Sequence, residues 1–132
     1  MKRARTLTVG VVLAAGTALG SCDSGPKAGE IVAEIVTPVV ELGAASFRAR
    51  ALEPYTIDTV AAACTGCTAY MTRVTDREVR GIVTGRFGAG PLVRVTVSDR
   101  DVRDPYSVEL LELAAPDYSL PSVAGSSLRF QR

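Results

Sequence analysis

Apolar positions follow two patterns along this chain, and the change between them divides it. From Leu7 to Leu19 they run almost unbroken for about 13 residues, behind Lys2, Arg3 and Arg5 and ahead of the small residues Gly20 and Ser21. From Ile31 onward they recur at every second residue, in short β-branched runs parted by turn formers. That period belongs to half-buried strands, not to helices. The intervening stretch, residues 22–30, is small, polar and punctuated by glycine and proline, as a flexible tether is.

The period-two region predicts its strands one by one. Ile31 to Val40 reads as the first, with Pro38 confining its end to an edge or a bend. Ala45, Phe47, Ala49 and Ala51 share one face of the second, leaving Ser46, Arg48 and Arg50 on the watered face. Pro54 ends that strand, and Tyr55 to Ala63 forms a third; nothing amphipathic follows Ala61-Ala62-Ala63, so a helix there is not favoured. Thr68 to Thr75 and Val79 to Thr84 flank a short turn at Asp76-Arg77. Gly85 to Gly90 reads as a hairpin connection to Pro91–Val97, where Val93, Val95 and Val97 face one way and Arg94 and Thr96 the other. Tyr106 to Ala114 places Val108 and Leu110 on one face and Leu111 and Leu113 on the other, which predicts a strand covered on both sides. Ser126 to Phe130 alternates once more. Seven to nine short strands without a convincing helix predict an all-β chain, an antiparallel β-sandwich of immunoglobulin-like type, behind an N-terminal signal helix.

The N-terminal regime carries the most specific signal. A charged start, a short apolar run and small residues form the layout of a secretory signal peptide, and the run is too short to span ~30 Å of hydrocarbon as a helix. Leu19-Gly20-Ser21-Cys22 matches, position by position, the large aliphatic, two small residues and cysteine of a lipobox. The chain here resembles bacterial lipoproteins. That resemblance implies cleavage behind Ser21, a diacylglyceryl thioether and usually N-acylation, such as palmitate, on Cys22, and attachment to a membrane of the cell envelope. Asp23 resembles an inner-membrane retention signal of enteric bacteria, a rule that does not carry across lineages, so the leaflet stays open. The expected organisation is a signal peptide over 1–21, a tether over 22–30 and one sandwich over 31–132.

Charge then narrows the partners. Three of the 15 basic residues and none of the 14 acidic ones lie in the leader, so the remaining 111 residues hold 12 against 14, a formal charge of −2. Such a balance supplies neither a nucleic-acid footprint nor a polybasic membrane patch. The expected partners are the membrane, through the lipid, and an envelope protein or polysaccharide.

Gly85 to Val97 also suggests a family for the exported part. A glycine-ended strand, a short Gly/Ala loop and Ala89-Gly90-Pro91-Leu92-Val93-Arg94-Val95-Thr96-Val97 resemble the middle of cohesin-type sandwiches, which are related to several carbohydrate-binding modules. Gly43 to Ala49 is similar to their early strand and Val108 to Leu113 to their later buried one. The resemblance implies a non-catalytic recognition or scaffold domain.

Cys64-Thr65-Gly66-Cys67 is the one chemical-looking motif there. Disulfide Cα atoms lie ~4.4–6.8 Å apart, a separation two cysteines three positions apart reach across a β-turn but not along a strand. Gly66 sits third in that turn, where positive φ is wanted. An exported pair is expected oxidised, clamping the turn. The competing function is an exported thiol-disulfide redox protein using Cys64 and Cys67, which would want Cys64 at a helix N-terminus, whereas Thr68 to Thr72 prefers strand. Haem attachment would need a histidine after Cys67, and the chain has none. Two cysteines alone do not make a zinc site. Asp99 to Asp104 begins like a calcium loop, but Arg103 and Asp104 take the places of a ligand and the required glycine, which favours a solvated turn. The tyrosines Tyr55, Tyr70, Tyr106 and Tyr118 suit a sugar platform less well than partly buried strand positions. No acid/base or nucleophile set can be assembled, so an enzyme is not expected, nor any metal or cofactor beyond the lipid on Cys22.

Overall fold

The computed structural model describes residues 25–132; residues 1–21, expected to be a signal peptide, and Cys22 lie outside them. Eight strands follow in order: β1 (Gly29–Val36), β2 (Leu42–Ala51), β3 (Ile57–Ala62), β4 (Thr68–Thr75), β5 (Glu78–Phe87), β6 (Gly90–Val97), β7 (Tyr106–Ala114) and β8 (Ser127–Phe130). They form two four-stranded antiparallel sheets, ordered β3-β6-β1-β8 and β4-β5-β2-β7. The described residues contain no helix long and apolar enough to cross a membrane.

The core fills the space between the sheets, as the alternation requires. Ala45, Phe47, Ala49 and Ala51 of β2 face Ile31, Ala33 and Ile35 of β1 and Val93, Val95 and Val97 of β6, all buried. β2 supplies mostly alanines and one large ring, and that ring is seated by a glycine. Phe47 pairs with Gly81 on β5, and a Cβ on Gly81 would come 2.6 Å from Phe47 Cζ and 2.7 Å from the Tyr70 carbonyl oxygen. Only glycine lets β4, β5 and the Phe47 ring approach so closely.

Three expectations change in the folded chain. The first strand starts at Gly29 and stops at Val36, before Pro38 could remove a ladder donor. The Gly85–Gly90 segment does not close a hairpin: Phe87 and Leu92 enter the core from opposite sheets, and Gly88-Ala89 carry the chain over its end. Of the strand connections among the described residues, only Asp76-Arg77 joins neighbours in one sheet; the others cross between sheets. β7 is also covered on one side rather than two. Its pairing with β2 slips between Ser46 and Phe47, so that Leu111 is the extra residue of a β-bulge. Val108, Leu110 and Leu113 thereby share the inner face, while Ser107, Glu109 and Glu112 face water.

One seam of the sandwich is closed by side chains. β3 and β4 are the edge strands of different sheets, and the Val60 amide donates to Met71 Sδ (3.3 Å) while the Arg73 guanidinium donates to the carbonyls of Ile57 (2.8 Å) and Asp58. These bonds occupy backbone groups that an open edge would offer to another chain.

Candidate functional site

The two outer faces differ in how their charges are used. Across β3-β6-β1-β8, Glu30 pairs with Arg94 (3.7 Å), Glu34 with Arg129 (2.8 Å), and Thr59 bonds Thr96 (3.2 Å). Arg129, with Gln131, holds the Glu34 carboxyl below the usual carboxylate range. This is a solvated, self-compensated surface, and its exposed pairs contribute little each.

The face of β4-β5-β2-β7 is divided. Ion pairs gather around β2: Arg48 reaches Glu109 on β7, and Arg50 Nε donates to Glu78 Oε1 at the start of β5 at 2.6 Å, lowering the Glu78 carboxyl with smaller contributions from Arg80 and Arg48. The middle of the β4–β5 pair carries none among the described residues. Register places Tyr70 opposite Ile82 and Thr72 opposite Arg80, all pointing outward. Tyr70 is 59% exposed and Ile82 38%, a cross-strand apolar pair on the solvent side of a sheet. Arg80 stands across from Arg48, and among the described residues no carboxylate lies within ion-pair reach of it. Tyr70, Met71, Thr72, Arg80, Gly81 and Ile82 line a depression of about 300 Å³. An aromatic and a branched aliphatic thus expose apolar area on this sheet beside a guanidinium that is in no ion pair among the described residues.

Cys64 and Cys67 are joined in a disulfide, with Cα atoms 5.5 Å apart. Gly66 has φ 73° in the turn, as its place in the motif predicts. The turn links β3 to β4 and so carries the chain from one sheet to the other. It rests on β5: a Cβ on Gly85 would lie 3.1 Å from the Gly66 carbonyl oxygen and 3.2 Å from Cys67 Cα. Strands lie on both sides of the motif, so Cys64 stands at no helix N-terminus.

No family model matches the chain, and no curated protein matches it. Among solved structures, the cohesin module of a family 33 glycoside hydrolase from Clostridium perfringens superposes with a TM-score of 0.54 over 82% of this chain and 97% of that one, at 11% identity. The fold is cohesin-like. At that identity the likeness concerns architecture, and the side chains of the cohesin-like sandwich must speak for its surface.

They separate the remaining candidates. Tyr55 and Tyr106 meet edge to face, ring centroids 5.8 Å apart, with Tyr106 buried; Tyr70 lies on β4 and Tyr118 in the β7–β8 connection. The four therefore form no common platform. In the Asp99–Asp104 turn, Asp99 Oδ1 accepts from the amides of Asp101 (3.1 Å) and Lys27 (3.4 Å), and Arg103 donates to the carbonyls of Arg100, Val102 and Gln131. These groups bind the turn to itself and to both chain ends of the domain. Cys22 lies outside the described residues. The Arg80 face was not singled out from sequence. Its signal was present: inward Val79, Gly81 and Val83 force Arg80 and Ile82 outward together.

Proposed function

We propose that the chain is an exported lipoprotein, anchored in the cell envelope through Cys22, whose cohesin-like sandwich is a non-catalytic recognition module that binds a protein. The observation that carries the binding reading is the β4–β5 face, where Tyr70 and Ile82 expose apolar area beside Arg80, which is in no ion pair among the described residues. A solvated face has no need of that combination, whereas an interface core rimmed by charge does. The Leu19–Cys22 motif supports the anchor, and the Cys64–Cys67 disulfide is assigned a structural role, pinning the β3–β4 crossover between the sheets.

A photo-crosslinking residue tests the reading. Placed at Ile82 in the full chain and irradiated in the producing cells, it yields a protein adduct, while the same residue at Thr96 on the other sheet does not. Identical adducts from both positions, or adducts only to polysaccharide, would contradict it.

A further inference from the structure

Arg80 differs from every other strand arginine among the described residues. Arg48, Arg50, Arg73, Arg86, Arg94 and Arg129 each reach a carboxylate. Arg80 is exposed in the middle of β5, and among the described residues its guanidinium has neither an ion pair nor a hydrogen bond.

Its surroundings explain why no acceptor is at hand. Across the sheet its row reads Thr72, Arg80, Arg48, Glu109. Arg48 turns to Glu109 on its far side and so offers Arg80 only a like charge, a cross-strand arrangement that costs stability. Glu78, two residues back on β5, is held by Arg50 at 2.6 Å. Arg48 also keeps a buried Nε–H without an acceptor, so this row carries more donors than the sheet satisfies.

The next row on the same face reads Tyr70, Ile82, Ser46, Glu112. It lies two residues along the strands, roughly 7 Å away. These registers make the exposed apolar pair and Arg80 one continuous surface. Glu109 and Glu112 on β7 and Glu78 at the start of β5 bracket the arginines. An extended polyanion laid over Arg80 would meet those carboxylates, whereas a single localised negative charge would not.

We propose, on the recognition reading above, that the occupant of this face is an acidic segment of a partner protein. One Asp or Glu carboxylate sits on Arg80, and an apolar side chain roughly 7 Å from it covers Tyr70 and Ile82. Acid and apolar residues two apart in a strand, or about four apart on a helix, meet that spacing. The carboxylate supplies the acceptor that this sheet leaves out and offsets the repulsion between Arg80 and Arg48. A protein with the same apolar contact and a basic residue in that place is rejected.

The test starts from the protein adduct formed by the photo-crosslinker at Ile82 of the full chain, with the crosslinked partner segment located by mass spectrometry. An Asp or Glu should lie within about four residues of the attachment point. The purified partner should bind Arg80→Glu about tenfold or more weakly than wild type. Replacing that acid by lysine in the partner should restore binding to Arg80→Glu and weaken it to wild type. Arg80→Gln should not lower the melting temperature of the free chain. Equal affinity for wild type and Arg80→Glu, or a swapped pair that does not recover, would overturn the proposal while the Ile82 adduct leaves protein recognition standing. Polygalacturonate, a polyanion without apolar side chains, binding as tightly as the partner would overturn it as well, and a lowered melting temperature for Arg80→Gln would give Arg80 a structural role instead. No protein adduct at Ile82 removes the recognition reading itself and this proposal with it.

Discussion

Gly81→Ala gives the packing account a quantitative test at the heart of the β4–β5 face. The new methyl would lie 2.6 Å from Phe47 Cζ, 2.9 Å from Cε1 and 2.7 Å from the Tyr70 carbonyl oxygen, all inside van der Waals contact. Phe47 is fully buried and Tyr70 O belongs to a paired strand, so neither can retreat freely. Overpacking of this kind costs about 1–3 kcal/mol, offset by roughly 0.4–1 kcal/mol because alanine leaves the unfolded chain less entropy to lose. The net expectation is about 1.3 kcal/mol of destabilisation, or a fall of roughly 6 °C in melting temperature for a domain of this size. Thermal and urea unfolding followed by circular dichroism measure it. A second arm isolates the cause: in a Phe47→Leu background the ring is gone and only the Tyr70 contact remains, so Gly81→Ala should cost about 1 kcal/mol less there. A Gly81→Ala protein as stable as its parent, or an equal cost in both backgrounds, would refute the close packing.

Three further outcomes follow from other parts of the chain. Replacing Cys64 and Cys67 together by serine should leave a folded sandwich that is about 2 kcal/mol less stable in urea, since so short a loop removes little chain entropy; complete unfolding would show the disulfide holding more than its turn. Glu34 and Glu78 have carboxyl pKa values lowered by Arg129 and Arg50, so the stability they add is present above the unfolded range near pH ~4.3 and is lost as pH falls through the lowered values; NMR titration should show both midpoints depressed, and Arg50→Ala should return that of Glu78 toward normal. A Cys22→Ala chain should lose acyl incorporation and membrane retention in cell fractionation while residues 25–132 still fold, and equal membrane retention would contradict the lipoprotein reading.

Much of the architecture is legible in the alternation itself. Ala45, Phe47, Ala49 and Ala51 face inward as their spacing dictates, the Asp76-Arg77 hairpin follows from two strand-like runs with a polar pair between them, and Cys64-Thr65-Gly66-Cys67 makes a closed turn where its glycine demands one. What the sequence withheld depends on partners distant in the chain. Leu110 and Leu111 look like opposite faces of a buried strand until β2 pairs across them and squeezes Leu111 into a bulge. Gly88-Ala89 has the composition of a hairpin, but β6 finds its partners in β1 and β3 rather than β5, a choice local residues do not encode. The left-handed Tyr118 is likewise imposed by the turn around it and not by any preference of tyrosine. The Arg80 site is intermediate. Alternation alone exposes Arg80 and Ile82, yet that Arg80 faces Arg48 rather than a carboxylate becomes visible only with the β2–β5 register.

The central claim is that the β4–β5 face recognises a protein, with Arg80 selecting an acidic group beside the Tyr70–Ile82 contact. Its most direct measurement is the affinity of the partner crosslinked at Ile82 for the wild-type chain and for Arg80→Glu, by calorimetry at low and high salt. The account predicts that Arg80→Glu weakens binding about tenfold or more at low salt without changing the melting temperature, and that added salt narrows the difference. Equal affinity for the two chains would contradict it.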